Sequence, residues 1–156
     1  PDRYYLEFYT GLCQLNAGRP DAALPHLHRA LELEPTEEDR ASIYAYIGVG
    51  LKAREQFREA LTVLEKGRAI DDERTDIHNL MGFCHFKLKA HEAAIACFKR
   101  VIALDPSSAI DYANIASNYR DLGQRSEAVR YYRMALEIDP RIEFARDHLA
   151  RLTAEE

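Results

Sequence analysis

Residues 75–108 read TDIHNLMGFCHFKLKAHEAAIACFKRVIALDPSS, and the following 34, residues 109–142, read AIDYANIASNYRDLGQRSEAVRYYRMALEIDPRI. Laid one on the other, Gly82 falls on Ala116, Ala94 on Ala128, Leu104 on Ile138 and Pro106 on Pro140. The same step taken backwards lands on Gly48, Ala60 and Ile70. Further upstream, Gly11, Ala23, Leu33 and Pro35 belong to an earlier copy offset by 37 residues, with Glu37-Glu38-Asp39 or its neighbours adding three residues to the joint. A fixed period of this length marks a supersecondary unit repeated in series.

Each unit reads as two helices. In the third, Ile77, Leu80, Met81, Cys84 and Leu88 recur at steps of three and four, the mark of an amphipathic helix. A break at Lys89-Ala90 follows, and Ala93, Ala94, Cys97, Phe98, Val101 and Ile102 form a second apolar stripe. Asp105-Pro106 closes it, because proline has no amide to continue the ladder. No stretch alternates as a strand does, so the chain is all-α. Small residues explain the pairing: Gly48 with Ala60, Gly82 with Ala94 and Ala116 with Ala128 let two helices approach closely. Tyr44, Ile47, Leu51 and Leu64 fill the flanks of one unit, and Tyr112, Ile115, Tyr119 and Tyr132 those of another. A single pair cannot bury both faces, so neighbours must stack into a solenoid with a concave side.

Tyr112-x-x-Ile115-Ala116-x-x-Tyr119, Ala128-x-x-x-Tyr132 and Pro140 resemble the tetratricopeptide repeat closely. His78-x-x-Met81-Gly82-x-x-His85 with Ala94, Phe98 and Pro106 is similar, with histidines in two aromatic places, and Tyr44 through Leu64 follows with Asp72 instead of the closing proline. The resemblance implies a right-handed superhelical solenoid of antiparallel helix pairs, in one domain over residues 1–156. Its four repeats would run about 4–37, 41–74, 75–108 and 109–142, with a capping helix at about 141–153. In that last helix Phe144, Ala145, His148, Leu149 and Leu152 would face inward, while Arg141, Glu143, Arg146, Asp147 and Arg151 make a charged outer side. The first unit departs: Glu7, Thr10 and Gln14 stand where bulky apolar groups belong, and Tyr5, Phe8, Tyr9, Leu12 and Leu15 form a rotated stripe that faces either the core or the groove. Pro1 sits 34 residues before Pro35, where the closing proline of a preceding unit would fall, and Asp2 can cap the first helix. The chain therefore reads as the C-terminal part of a longer protein.

Composition narrows the function. With 21 basic against 26 acidic residues, and a net charge of -5, there is no basic excess to neutralise phosphates, which argues against nucleic acid. No apolar run reaches the roughly 18 residues of a membrane span. Cys13, Cys84 and Cys97 are odd in number and lack a Cys-x-x-Cys spacing, which fits a reducing compartment such as the cytoplasm. Gly48-x-Gly50-x-x-Ala53 has dinucleotide-fingerprint spacing, but it lies inside a helix with no strand before it. His78, His85 and His91 with Cys84 suggest a metal cluster, yet two of these histidines occupy slots where a flat ring packs, so no metal and no cofactor is expected. An open solenoid offers little exclusion of water, so catalysis is not expected either.

What remains is binding. The resemblance implies that the first helix of each unit lines the concave side, which places Tyr46, Val49 and Lys52, then Asn79, Phe83, Phe86 and Lys87, then Asn114, Ser117 and Arg120 in a groove. Aromatic and apolar groups would fill its middle, with Lys52, Lys87 and Arg120 toward one edge. That mixture suits an apolar peptide or helix carrying acidic groups. Phe83 and Phe86 either touch such a ligand or are covered by neighbouring helices. The positions of the chaperone-tail clamp hold Phe8, Leu12, Tyr46, Asp76 and Leu80, or one unit later Ala45, Val49, Leu80, Ile110 and Asn114, so chaperone tails are not the expected ligand. The expected function is a non-catalytic protein-interaction scaffold. A self-assembly module using Tyr5, Phe8 and Tyr9, or an accessory domain of a larger enzyme, stands as the alternative.

Overall fold

The structure, a computed structural model, describes residues 3–154; Pro1 and Asp2, read above as a unit end and a cap, lie outside the described residues. Among the described residues the chain is nine α-helices with no strand: α1 (Arg3–Asn16), α2 (Pro20–Glu32), α3 (Glu37–Ala53), α4 (Phe57–Ile70), α5 (Thr75–Lys87), α6 (His91–Leu104), α7 (Ala109–Asp121), α8 (Arg125–Ile138) and α9 (Glu143–Ala154). It divides into two compact units, Pro1–Cys84 and His85–Glu156.

Every odd-numbered helix from α1 to α7 ends in the same turn. One residue takes the left-handed conformation, Gly18 at φ 70°, Glu55 at 59°, Lys89 at 59° and Gly123 at 74°. Its amide donates three residues back, and the next amide five back. The pairs Glu55 to Lys52 and Gln56 to Leu51, or Gly123 to Arg120 and Gln124 to Tyr119, all measure 2.9 Å. This satisfies carbonyls that the helix end leaves open and reverses the chain in three residues. Glycine does so without cost, whereas Glu55 and Lys89 carry a Cβ into a region that L-residues avoid.

The joints between units use a second device. Asp71, Asp105 and Asp139, each 34 residues apart, accept a hydrogen bond on Oδ1 from the amide two residues on, at 3.0, 3.1 and 3.0 Å. These side-chain turns stop α4, α6 and α8 whether or not a proline follows, which is why Asp72 can stand where Pro106 and Pro140 stand. His78, 4% exposed, donates Nε2–H to the Asp72 carbonyl at 2.7 Å and so fixes that proline-free joint. The first joint differs. Its three extra residues enter no loop: α3 runs to 17 residues against 13 for α5 and α7, while α2 is one shorter than α4. Thr36 caps the extension by accepting from the Asp39 amide at 3.2 Å.

In the first unit the core is Tyr4, Phe8, Leu24, Leu27, Ala30, Ile43 and Ile47. The rotated stripe of α1 thus resolves toward the core for Phe8, joined by Tyr4, while Tyr9 is 56% exposed. Tyr4 succeeds because its hydroxyl donates to Asp39 Oδ2 at 2.6 Å. Glu7 takes a polar partner where an apolar one was expected, His26 Nδ1 at 2.7 Å. Pro25 lies within α2, its ring exposed, while Ala23, Leu24, Leu27 and Ala30 bury the opposite stripe and hold the helix. In the second unit the core runs through Phe98, Ala113, Ile115, Ala116, Ala128, Tyr131, Tyr132 and Ala135 to Ala145 of α9. Phe144 was expected inside with Ala145 but is 37% exposed.

The glycines show what sets the helix spacing. A Cβ on Gly48 would lie 2.5 Å from Leu64 Cδ2, and one on Gly11 2.7 Å from Leu27 Cγ. The partner is thus the large residue sixteen positions on, one turn past the alanine expected to meet the glycine. Leu64 and Leu27 are fully buried and cannot withdraw. Gly48→Ala should therefore lower stability by about 1–2 kcal/mol, overpacking outweighing the better helix propensity of alanine. Glu55→Gly should raise it by about 1 kcal/mol by relieving the left-handed turn. Thermal denaturation of both variants checks the pair, and a neutral Gly48→Ala would refute the close approach.

Candidate peptide-binding surface

In the first unit α3 presents Tyr46, Val49 and Lys52 on one face, and α5 presents Asn79 and Phe83; all five are half-buried. Tyr46 is anchored by Phe8, their ring centroids 5.6 Å apart. Lys52 does not stand free at an edge: its Nζ lies 4.0 Å from the Phe83 ring centroid. Phe57 approaches the same ring at 6.2 Å with the planes at 60°. Phe83 is therefore both partly covered and partly open, and the cation that covers it is held by the ring quadrupole.

In the second unit Asn114, Ser117 and Arg120 lie along α7, half-buried, and two of them converge on one group. Tyr132, fully buried on α8, meets the Ser117 hydroxyl at 2.8 Å and the Arg120 guanidinium at 3.4 Å. Arg120 also donates from Nε to Asp121 at 2.9 Å and pairs with it through Nη2 at 2.8 Å. Its charge is thus neutralised at home rather than offered at an edge. The Tyr132 ring stacks on His148 of α9 at 5.9 Å. Burial, then Arg120 and Arg151, push the His148 imidazole below its ordinary pKa.

Phe86 and Lys87 belong to a different place, a cavity of about 480 Å³ lined by Phe86, Lys87, Lys89, His91 and Asp121. Phe86 meets the His91 ring edge-on at 5.9 Å. His91 is oriented from behind. Asn118, 1% exposed, donates Nδ2–H to the Asn114 carbonyl at 2.8 Å, so its Oδ1 is left to accept, and His91 Nδ1–H supplies that bond at 2.9 Å. Lys89, His91 and Asp121 were not assigned to a binding surface, because Lys89 lies in a turn and His91 and Asp121 at helix ends, where helix periodicity says little.

Among the described residues no three His, Cys, Asp or Glu side chains converge as metal ligands. The ring nitrogens of His78 and His91 instead bond Asp72 and Asn118. The Gly48-x-Gly50-x-x-Ala53 spacing lies within α3, as its context required. Among the described residues no helix is long and apolar enough to cross a membrane.

Helix pairs of this period, with a left-handed turn inside each and an aspartate turn after the last three, define a tetratricopeptide-type fold. The tetratricopeptide repeat pattern matches residues 75–108 and again 112–142, and these two units belong to that family. Over 76 residues the chain is 32% identical to Protein O-mannosyl-transferase F38B6.6 of Caenorhabditis elegans, a match that takes in 49% of this chain and only 11% of that protein. Its fold is similar to that of MamA, residues 41 to the end, from Desulfovibrio magneticus RS-1, with TM-score 0.90 and 20% identity over 99% of this chain and 86% of that one. It is also similar to YrrB, described as a TPR protein with an unusual peptide-binding site, with TM-score 0.84 and 19% identity over 94% and 74% of the two chains.

The His148 cluster yields a test of this geometry. A depressed imidazole pKa means that the folded chain disfavours the proton. Its stabilising contribution is present above the ordinary histidine value near ~6.5 and is lost as pH falls through the lower folded value. Arg120→Ala should move the His148 titration upward, read by NMR of the ring protons. An unmoved titration would show that Arg120 does not face that ring.

Proposed function

We propose that the chain is a non-catalytic protein-interaction scaffold, and that it holds a peptide or helix of a partner protein against the first helices of its pairs. The contacts assigned to the first unit are Tyr46, Val49, Lys52, Asn79 and Phe83; those of the second are Phe86, Lys87, Asn114, Ser117 and Arg120. The tetratricopeptide fold supports an interaction role, and the likeness to a protein titled for its peptide-binding site points the same way. The observation that carries the reading is the cavity beside Phe86, an aromatic ring flanked by Lys87, Lys89 and His91, with Asp121 already held by Arg120. A carboxylate-bearing segment with an apolar neighbour fits that combination: the ring gives contact area and the cations orient the charge. The titratable groups support binding over catalysis. Asp39, Asp76 and Asp139 each accept hydrogen bonds that stabilise turns or helix ends, and His78 and His91 hold the backbone or a buried amide.

A second reading is favoured by the likeness over 76 residues to part of an O-mannosyl-transferase. On it the chain is an accessory module of a larger enzyme, binding a protein while chemistry occurs elsewhere. It predicts that residues 1–156 bind but do not turn over.

The test uses peptides selected against the chain from a displayed random library, with affinities measured by calorimetry. Lys87→Glu and Phe86→Ala should each weaken the best acidic peptide about tenfold, roughly 1.4 kcal/mol, while Lys66→Glu on the exposed side of α4 should not. Equal losses for Lys87→Glu and Lys66→Glu would reduce the effect to net charge and sink this placement.

A further inference from the structure

The cavity beside Phe86 has one wall that accepts rather than donates, and Asn118 makes it so. The Asn118 Nδ2–H donates to the Asn114 carbonyl at 2.8 Å, a bond that its own side-chain oxygen could not make. Oδ1 therefore faces His91 Nδ1 at 2.9 Å, and that bond needs the hydrogen on Nδ1. Asn118 is 1% exposed, so it cannot turn to water instead. A neutral imidazole carries one hydrogen, which leaves Nε2 with a lone pair. Among the described residues Nε2 has no hydrogen-bond partner, and His91 lines the cavity.

The groups around this lone pair come from three other elements. Phe86 and Lys87 end α5, Lys89 stands in the turn, and Asp121 ends α7 with its charge paired to Arg120. On α6 itself the neighbouring Glu92 is exposed. A carboxylate drawn in by Lys89 meets electron density at the neutral ring, which repels it. Once Nε2 takes a proton, the same approach becomes a charge-assisted hydrogen bond. Nδ1–H stays on Asn118 in both states, so the ring changes role without moving.

Resting on the peptide-binding reading of this cavity, we infer that His91 is its specificity-determining group, and that an acidic segment binds there with uptake of one proton at Nε2. The proton comes from solvent, and the imidazolium offsets the charge of the incoming carboxylate. Because binding consumes a proton, affinity for a carboxylate rises as pH falls through the range in which histidines gain their charge, about pH 8 to 5. A segment offering an N–H or hydroxyl to Nε2 has the opposite dependence, since it needs the neutral ring.

The test uses the 156-residue chain and the best acidic peptide selected against it. Calorimetry at pH 7 in two buffers of different ionisation heat should show uptake of about half to one proton per peptide, and affinity about tenfold higher at pH 6 than at pH 8. In His91→Gln both effects should vanish. NMR of the ring nitrogens should find the hydrogen on Nδ1 in the free chain and on both nitrogens in the complex. A free ring with its hydrogen on Nε2 overturns the assignment, and so does a pH dependence that survives His91→Gln. A peptide weakened by Phe86→Ala and Lys87→Glu that binds with no proton uptake also overturns it, while leaving the peptide-binding reading in place. A peptide indifferent to both substitutions defeats that reading and the role of His91 together.

Discussion

Two helices can lie side by side only as close as their bulkiest facing atoms permit, and here that limit has been removed at one point in each of the first two pairs. Gly11 and Gly48 have no Cβ where Leu27 and Leu64 thrust their branched ends, and in the fourth pair Ala116 and Tyr132 hold the same register. The large residue is thereby sealed by the backbone opposite, so every heavy atom of it trades water for close contact. Such an approach leaves room for a turn of only three residues, and the left-handed residue with its two 2.9 Å hydrogen bonds is the way these pairs make one. With the inner stripe so occupied, the opposite flank of each first helix is excused from packing within its pair. Tyr46 and Phe83 can be chosen there for something other than the core.

The architecture was legible because its signal is redundant. A glycine or alanine, a following alanine and a closing residue recur on a 34-residue step, and one altered position such as Asp72 does not erase the pattern. What escaped was local chemistry. Periodicity identified Pro106 and Pro140 as unit ends, yet the device common to all three later joints is the aspartate just before them, whose role depends on an amide two residues away. The stripe of α1 was ambiguous for a related reason. A tyrosine reads as apolar bulk, but Tyr4 earns its burial through a hydroxyl bond to a carboxylate 35 residues on, which no helical wheel displays.

The ten positions expected along the binding face fared unevenly for the same reason. Sequence spacing places a residue on a helix face but does not say which neighbour claims its charge. Lys52 leans on Phe83 and Arg120 is shared between Asp121 and Tyr132, so both of these expected cations serve the fold first. Lys87 lines a cavity, where Lys89 joins it from the turn and His91 from the start of α6.

The longer α3 has an effect beyond register. Its added turn carries Asp39 to where the hydroxyls of Tyr4 and Tyr5 reach it, at 2.6 and 3.3 Å, with Thr36 on its other side. The Tyr4 hydrogen bond, helped by Thr36 and Tyr5, holds the Asp39 carboxyl below the usual aspartate range. The joint between the first two pairs is thus fastened by a negative charge, and protonating that carboxylate, which takes acid below the usual aspartate range, removes the acceptor on which the tyrosines rely. Acidification would loosen this seam at its tyrosine end, a vulnerability that an insertion of three residues brought into the array.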